Sequence, residues 1–213
     1  MIQVLVVDDH DLVRTGISRM LDDVEGIEIV AQAVSGEDAI SLYRDVAPDV
    51  TLMDVRMPGI GGLEATRKIC QINPHAKIIA VTACMEDPFP TRLLEAGASG
   101  YVTKSSNITE MVTAIRKVFA GKRFISTEIA QQMAWQAIEP DSGSPFGQLS
   151  HREMQVAIMI VNCEKVQTIS DKLCLSPKTV NSYRYRMFDK LNITSDVELT
   201  HLAIRHDLVD TIE

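Results

Sequence analysis

Hydrophobic and polar positions along the first 125 residues follow two alternating periods. Short apolar runs rich in β-branched residues predict β-strands, several of them continuous enough to be buried on both faces. These runs are Val4–Val7, Ile27–Ala31, Val50–Met53, Ile78–Val81 and Gly100–Val102. Between them, apolar residues recur at helical spacing. These helical segments are Leu12–Leu21, Gly36–Arg44, Gly62–Ile72, Pro90–Ala96 and Ile108–Ala120. The alternation predicts an α/β, doubly wound, five-stranded parallel sheet with helices on both faces.

The rest of the chain is predicted to be helical. After a helix at Thr127–Ile138, the stretch EPDSGSPFGQ has the prolines, glycines and serines of a linker. The pattern Ser150-x-x-Glu153 is a capping box that opens a further helix. Three more helices follow, at Val166–Cys174, Pro177–Leu191 and Asp196–His206. The sequence therefore predicts a domain at 1–121, a linker with one helix at 122–148, and an all-α four-helix domain at 149–213.

Composition narrows the class of protein. The chain has 213 residues, 46% of them hydrophobic, which suffices for a packed core in each of two domains. No apolar run approaches the ~18 residues needed to span a membrane. The N-terminal MIQVLVVDDH also lacks the basic flank of a signal peptide. We therefore expect a cytoplasmic protein with no membrane partner.

The formal net charge of −8 is unevenly distributed along the chain. Residues 1–145 carry 13 basic and 20 acidic side chains, whereas residues 146–213 carry 8 and 9. Because like charges repel, an anionic partner should avoid the first part of the chain and bind the second.

Cysteine and histidine spacing indicates neither a disulfide framework nor a catalytic site. The four cysteines form no C-x-x-C pair, so they are expected to be free thiols in a reducing compartment. The five histidines have no serine, cysteine or metal partner at a recognisable spacing. They are His10, His75, His151, His201 and His206.

Five polar residues fall at the carboxyl ends of the predicted strands, where ligands bind in open α/β sheets. They are Asp8 and Asp9 after the first strand, Asp54 after the third, Thr82 after the fourth and Lys104 after the fifth. Three crowded carboxylates repel one another unless a hard divalent cation lies among them, and Mg²⁺ prefers such oxygen ligands. One of these carboxylates could also attack a phosphoryl group to give an aspartyl phosphate, with the charge of Lys104 stabilising the product.

Two other interpretations of these aspartates stay open. Asp8 or Asp9 alone could cap the helix that follows, although capping does not explain the full set. Alternatively, Asp54 could be the nucleophile of a phosphotransfer enzyme of the haloacid-dehalogenase type. Such enzymes carry a second aspartate two residues on as general acid, and here that position is Arg56.

The segments VVDDH, DVRMP and YVTK, together with Gly62 and Thr82, resemble the receiver domain of two-component response regulators over about residues 1–121. The resemblance implies a flavodoxin-like fold and Mg²⁺ as cofactor. It implies that Asp54 accepts a phosphoryl group from a sensor histidine kinase, and that phosphorylation and dephosphorylation of Asp54 are the only reactions. The residues it assigns to the metal are Asp9, Asp54, Arg56 through its backbone carbonyl and Asp8 through water, and those assigned to the switch are Thr82, Tyr101 and Lys104.

The helix predicted at Pro177–Leu191 has two different faces. Ser176 is a natural N-cap and Pro177 a natural first residue, following a tight turn. Val180, Met187 and Leu191 form an apolar face suited to a core. The opposite side carries Lys178, Ser182, Tyr185 and Asp189, flanked by Asn181 and Arg186. A helix-turn-helix recognition helix needs this pattern, although a charged face can also be merely solvated.

Leu149–Ala203 resembles the DNA-binding domain of LuxR/NarL-type regulators. Leu149-Ser150, Arg152-Glu153, Leu175-Ser176, Thr179-Val180 and Lys190-Leu191 carry the resemblance. It implies that the domain binds double-stranded promoter DNA. The residues implied to reach into the major groove are Asn181, Ser182 and Tyr185, with Arg186 beside them, and those implied to touch phosphates are Lys178, Thr179 and Lys190. One departure is the glycine usual after the first helix, which is missing from NCEKVQ.

Both resemblances together imply a transcription regulator that is switched by phosphorylation, acts with RNA polymerase and is a homodimer when active. Asp196–His206 would be the dimer helix of the second domain. Over its full length the chain resembles a branch of global activators that switch on small regulatory RNA genes. We hypothesise that the unphosphorylated receiver occludes the helix around Asn181–Arg186. An output domain that binds protein instead of DNA is the alternative.

Overall fold

The computed structural model describes residues 1–83, 89–138, 144–206 and 208. Cys84 and the linker residues 139–143 lie outside the described residues. The chain divides into two compact units, one within residues 1–138 and the other from residue 144 onward. None of the helices in the described part of the chain is long and apolar enough to span a membrane.

The first unit is a parallel sheet with helices on both faces. Its strands are β1 (Ile2–Val7), β2 (Ile27–Ala33), β3 (Val50–Asp54), β4 (Ile78–Thr82), β5 (Gly100–Thr103) and β6 (Phe124–Ile125). Its helices are α1 (Asp11–Asp22), α2 (Gly36–Val46), α3 (Gly61–Ile72), α4 (Phe89–Glu95), α5 (Ile108–Phe119) and α6 (Thr127–Ile138). The strand order is β2-β1-β3-β4-β5-β6, with every neighbouring pair parallel. The predicted doubly wound α/β fold is confirmed.

Alternate residues of the central strands enter two separate hydrophobic cores. Val4 and Val6 of β1 point to the side covered by α1 and α5, with Ile115 of α5. Leu5 and Val7 point to the opposite side, covered by α2 and α3. Because successive side chains of a strand face opposite ways, an apolar run with no polar gap is what burial on both faces requires.

The sheet has six strands where the sequence predicted five. β6 pairs in parallel with β5, with Tyr101 opposite Ile125. The Ser126 N–H then donates to the Tyr101 carbonyl at 3.0 Å, and Ile129 of α6 is fully buried. A two-residue strand shows no periodicity, so its sequence gives no signal. The strand brings α6 into the first unit, where it contacts α4.

The second unit is helical throughout its described residues. A short 3-10 helix (Pro145–Gln148) precedes α7 (His151–Val161), α8 (Val166–Leu173), α9 (Pro177–Leu191) and α10 (Asp196–Arg205). The capping box is confirmed: the Glu153 N–H donates to Ser150 Oγ, and the Ser150 N–H donates to Glu153 Oε2 at 2.7 Å. The N-cap of α9 is also confirmed, because Ser176 Oγ accepts the Thr179 N–H at 3.1 Å.

Two short connections in the second unit have features that the sequence did not reveal. Phe146, in the 3-10 helix at the end of the predicted linker, is completely buried, with its ring edge-on to that of His206. After α7, Cys163 has a left-handed backbone with φ +59°. This left-handed backbone lies within NCEKVQ, the segment that lacks a glycine, so a residue with a β-carbon adopts a conformation that glycine adopts at less cost.

Candidate functional site

The carboxyl ends of β1, β3 and β5 bring an acidic pair and a lysine together. Asp8 follows β1, Asp54 is the last residue of β3, and Lys104 follows β5. Lys104 Nζ lies 2.8 Å from Asp8 Oδ2 and 2.8 Å from Asp54 Oδ2. Both aspartate side chains are only 2% exposed. The lysine therefore bridges one oxygen of each buried carboxylate.

Burial and the ion pairs act in opposite directions on the charges of this site. Burial raises the pKa of Asp54, the pairing with Lys104 lowers it, and the net result is a pKa of about 6. Burial alone would lower the pKa of Lys104, but Asp54 and Asp8 raise it above its ordinary value. At pH 7 Asp54 is therefore mostly a carboxylate held beside a cationic lysine, which is the state that a nucleophile needs.

The other carboxylate oxygens face away from Lys104. Asp54 Oδ1 accepts the Arg56 N–H at 3.2 Å, and Asp8 Oδ1 accepts the His10 N–H at 2.8 Å. Asp9 Oδ1 is buried and accepts no hydrogen bond. An orphaned carboxylate oxygen beside two further carboxylates fits a divalent cation.

His10 lies beside these carboxylates, a contact that the sequence analysis did not single out. No histidine has a metal partner at a recognisable spacing in the sequence, and in the structure ligand atoms of Asp8, Asp9, His10 and Asp54 lie within 4.8 Å of one another. His10 is the N-cap of α1 and makes no side-chain cap. Spacing rules for helices and C-x-x-C motifs do not describe neighbouring residues of a loop, so the sequence did not mark this contact.

Two of the three residues assigned to the switch lie inside the sheet. Thr82 ends β4 and Tyr101 lies in β5, and both side chains are completely buried. The Thr82 carbonyl accepts the Lys104 N–H at 2.9 Å. Thr82 is therefore linked through the backbone to the lysine of the site.

Two residues of the first unit shape the loop between β3 and α3. The Gly62 N–H donates to the Val55 carbonyl at 3.1 Å, and a β-carbon at Gly62 would collide with the Asp54 carbonyl oxygen. Glu37 in α2 accepts the Ile60 N–H through Oε1 at 3.2 Å. The sequence analysis overlooked Glu37, because its partner lies 23 residues away and no local pattern marks the pair.

In the second unit, α9 presents the expected two faces. Val180, Met187 and Leu191 are buried, whereas the residues on the other side are exposed or half-buried. The exposed ones are Lys178, Tyr185 and Arg186, and the half-buried ones are Thr179, Asn181 and Ser182. The polar side chains proposed to read DNA therefore share the accessible side of one helix.

Two of the four basic residues of α9 hold acidic partners within the second unit. Arg184 makes a two-pronged ion pair with Asp196, at 2.8 and 2.6 Å. Lys190 Nζ lies 2.6 Å from the buried Glu153 carboxylate. Burial raises the pKa of Glu153, but hydrogen bonds from Lys190 and Ser150 outweigh it and lower the pKa overall. Lys190 thus fixes α9 against α7.

Comparisons with known proteins agree with both units. The family described as response regulator receiver domain matches residues 4–116, and that described as bacterial regulatory proteins, luxR family, matches residues 147–203. Response regulator GacA of Pseudomonas protegens is 65% identical over 210 residues, covering 99% of both chains. The chain belongs to the LuxR family of response regulators. The resemblances seen in the sequence are thereby confirmed.

Two further relatives of this response regulator extend the comparison. Response regulator UvrY of Escherichia coli (strain K12) is 57% identical over 209 residues, covering 98% of this chain and 96% of UvrY. The solved structure of RcsB from Salmonella enterica serovar Typhimurium, bound to promoter P1flhDC in the presence of the phosphomimetic BeF₃⁻, aligns with a TM-score of 0.75. It covers 96% of this chain and 98% of RcsB at 21% identity, so this likeness concerns the fold alone.

Proposed function

We propose that this response regulator is a sequence-specific transcription regulator switched by phosphorylation of Asp54. The observation that carries the proposal is the bridge from Lys104 to Asp8 and Asp54, in a chain that also contains a LuxR-type domain. The phosphoryl donor is a histidine of a sensor histidine kinase. The chain has no catalytic activity beyond phosphorylation and dephosphorylation of its own Asp54.

The oxygens that face away from Lys104 would hold Mg²⁺. The ligands would be Asp9, Asp54 and the backbone carbonyl of Arg56, with Asp8 acting through water. When bound, the ion supplies positive charge that stabilises the oxygens of the transferring phosphoryl group. Lys104 orients the Asp54 carboxylate by holding Oδ2.

The switch works through Thr82 and Tyr101. A phosphoryl group on Asp54 offers oxygens to which the Thr82 hydroxyl can donate a hydrogen bond. Tyr101 lies in β5, directly before the strand residues that lead to Lys104. A movement of Thr82 would thus change the position of β5 and of β6, the strand paired with it.

The output is binding of promoter DNA by α9. Asn181, Ser182 and Tyr185, with Arg186 beside them, would read base edges in the major groove. Lys178 and Thr179 lie in the first turn of α9, where the helix N-terminus also favours phosphate. Lys190 is proposed as a further phosphate contact, but its ammonium already pairs with Glu153, so its contribution should be smaller.

The proposed working parts are a receiver domain at 1–121, a linker at 122–148 whose β6 and α6 pack with the receiver, and a DNA-binding domain at 149–213. A few base contacts from one small domain give limited specificity, so the active protein binds paired half-sites as a homodimer. It works in the cytoplasm with RNA polymerase. Small regulatory RNA genes are the targets that the resemblance over the full length of the chain implies.

A footprinting experiment tests this function. DNA selected from random sequences by the phosphorylated protein is titrated with wild type, with and without acetyl phosphate and Mg²⁺, and with Asp54→Asn. We expect treatment with acetyl phosphate to raise the DNA affinity of wild type and to leave the DNA affinity of Asp54→Asn unchanged. Affinity should fall steeply with salt, since phosphate contacts release counterions. No salt-dependent binding to any duplex would instead support an output domain that binds protein.

A further inference from the structure

We propose that Glu37 is a positioning residue for the phosphorylation site. From the neighbouring helix α2 it holds the loop between β3 and α3, and thereby orients the Arg56 carbonyl for Mg²⁺. The inference rests on the proposed function in taking that carbonyl as a ligand of the ion. It gives a role in the site to α2, a helix that carries none of the residues expected to contact the metal or the phosphoryl group.

The loop between β3 and α3 is closed at both ends around the phosphorylation site. At its start, the Arg56 N–H donates to Asp54 Oδ1 at 3.2 Å. At its end, the N–H of Gly62, in the first turn of α3, donates back to the Val55 carbonyl at 3.1 Å. The Arg56 peptide therefore lies in a short closed loop, and its orientation depends on what holds the middle of that loop.

Glu37 holds the middle of this loop from outside it. Its Oε1 accepts the Ile60 N–H at 3.2 Å, across 23 residues of sequence. The side chains of Met57 and Ile60 also anchor the loop in the hydrophobic core, but apolar packing has no direction and does not orient a peptide group. The hydrogen bond to Glu37 does orient one, because the N–H must point at the carboxylate.

The start of α2 and the loop are in close contact at two glycines. A β-carbon at Gly36, the first residue of α2, would lie 2.8 Å from the Gly61 carbonyl oxygen. A β-carbon at Gly59 would lie 2.6 and 2.8 Å from the two carboxylate oxygens of Glu37, so a side chain there would displace the carboxylate. The absence of both β-carbons lets Glu37 lie directly against the loop backbone.

Two helix N-termini favour the Glu37 carboxylate at this place. Glu37 lies in the first turn of α2, and Ile60 is the N-cap of α3, where its side chain makes no cap. The N-terminus of a helix carries partial positive charge and has N–H groups without partners in the helix. In a capping box, a glutamate of the same helix accepts the N-cap N–H. Glu37 makes this contact with α3 from a different helix.

The orientation of the loop matters for Mg²⁺, because this ion tolerates little displacement of its ligands. It requires near-ideal octahedral geometry and short bonds. A backbone carbonyl that is already oriented loses little conformational freedom when the ion binds. Without Glu37 the loop would have to become ordered on binding, which lowers the Mg²⁺ affinity although every ligand is still present.

Calorimetric titration of the full-length protein with Mg²⁺ tests the proposal. We compare wild type with Glu37→Ala, Glu37→Gln and Asp45→Ala, the last removing an exposed carboxylate from the other end of α2. For Glu37→Ala we expect Mg²⁺ affinity to fall by about tenfold, as when a group that orients a metal ligand is lost. Glu37→Gln keeps an oxygen that accepts the Ile60 N–H, although more weakly than a carboxylate, and should stay within about threefold of wild type.

The control variant Asp45→Ala should bind Mg²⁺ as wild type does. A loss in Asp45→Ala equal to that in Glu37→Ala would assign the effect to net charge and overturn the proposal. Equal Mg²⁺ affinities of Glu37→Ala and wild type, or equal losses in Glu37→Ala and Glu37→Gln, would overturn it as well.

Two further measurements separate positioning from stability. In Glu37→Ala the maximal rate of phosphorylation by acetyl phosphate should equal that of wild type, while the Mg²⁺ concentration that gives half of this rate rises. Hydrogen exchange of the Ile60 amide, measured without metal, should be faster in Glu37→Ala and close to wild type in Glu37→Gln. Unchanged exchange in Glu37→Ala, or a lower maximal rate at an unchanged half-maximal Mg²⁺ concentration, would reject the positioning role.

The outcomes for wild type separate this inference from the proposed function. If wild type binds Mg²⁺ and is phosphorylated at Asp54, but Glu37→Ala behaves like wild type, only this inference fails. If wild type neither binds Mg²⁺ nor is phosphorylated, the metal-dependent receiver of the proposed function fails, and the role of Glu37 fails with it.

Discussion

Single backbone positions determine part of the geometry of this response regulator, and Gly62 and Cys163 do so in opposite ways. At Gly62 the first turn of α3 approaches the backbone of Asp54 so closely that no β-carbon fits. At Cys163 a residue with a β-carbon adopts a backbone that suits glycine. One position already has the residue that its geometry requires, and the other does not.

Gly62→Ala should damage the phosphorylation site. Because the added methyl collides with the Asp54 carbonyl oxygen, the strand end must shift, at a cost of about 1–3 kcal/mol in unfolding free energy. The free energy of unfolding measured in urea and the rate of phosphorylation by acetyl phosphate should both fall. Gly16→Ala is the control, since a β-carbon there meets nothing, and this variant should gain about 0.5–1 kcal/mol. Equal stability of the two variants would contradict the close approach at Asp54.

Cys163→Gly should stabilise the second unit. The left-handed backbone at φ +59° costs a residue with a β-carbon about 1–2 kcal/mol, and glycine loses part of this gain through its greater freedom when unfolded. A net gain of about 1 kcal/mol over Cys163→Ala is expected in urea unfolding. The Ala variant removes the thiol but keeps the β-carbon. If Gly were no more stable than Ala, backbone strain at this position would be excluded.

At the scale of elements, helix α9 has two tasks: it packs against the rest of the second unit and it binds DNA. Its basic residues divide between these tasks: Arg184 and Lys190 hold Asp196 and Glu153, whereas Lys178 is exposed in the first turn. Net charge along the helix therefore overstates the charge available to DNA. A lysine on a recognition helix can contribute to binding through the orientation of the helix alone.

Lys190→Met and Lys178→Met should separate these two tasks. Lys190→Met leaves the Glu153 carboxylate buried without its cation, and we expect a loss of about 1–3 kcal/mol in the stability of the second unit. Lys178→Met should change stability by less than about 0.5 kcal/mol but reduce the slope of log affinity against log salt by about 0.9. Urea unfolding and DNA titrations at several salt concentrations measure both. The reverse pattern would show that Lys190 acts mainly on DNA.

The contact between α7 and α9 should fail in acid. The pKa of Glu153 is lowered in the folded protein, so its stabilising effect is present above the unfolded value of about 4.3 and is lost as pH falls through the folded pKa. Methyl NMR signals of Leu199, buried in α10, can follow urea unfolding of this unit from pH 7 to 3. Glu153→Gln keeps a capping side chain but should be less stable at pH 7 and show a weaker pH dependence. Identical pH profiles would assign the acid loss to other groups.

Local patterns predicted most elements, and long-range pairings explain what they missed. The strands, helices and the Ser150 cap depend on neighbours within a few residues, so periodicity and capping rules locate them. The approach of Lys104 to Asp54 followed from a general rule about the ends of parallel strands. In contrast, the Glu153–Lys190 pair spans 37 residues, and β6 depends on the edge of β5. His10 shows that a loop residue can also make a short-range contact that no spacing rule marks.

At the scale of the whole molecule, charge separates the two functions of this response regulator. Residues 1–145 carry most of the excess negative charge, while residues 146–213 are nearly neutral. An acidic receiver disfavours DNA near itself, and a phosphoryl group adds about −1.5 to −2 more. Activation must therefore work by releasing or pairing the DNA-binding units rather than by attracting DNA to the receiver.

DNA carrying one half-site distinguishes release from pairing. If the unphosphorylated receiver occludes Asn181–Arg186, phosphorylation should tighten binding even to a single half-site, where no dimer can form on the DNA. If phosphorylation only pairs two chains, affinity for one half-site should stay constant and only that for paired half-sites should rise. We expect the first result, measured by fluorescence anisotropy with acetyl phosphate and with Asp54→Asn as control. Constant half-site affinity would reject occlusion.

The pairing of β6 with β5 also determines where a receiver can be joined to a different output domain. A chimera joined after residue 121 would remove the neighbour of β5, leaving backbone groups at the Tyr101 strand edge unpaired and removing the buried Ile129. A chimera joined after residue 138 would keep both. The segment that must be kept together with the phosphorylation site therefore extends past the receiver-family match, which ends at residue 116. Exchange of output domains, in evolution or in the laboratory, should succeed most often beyond α6.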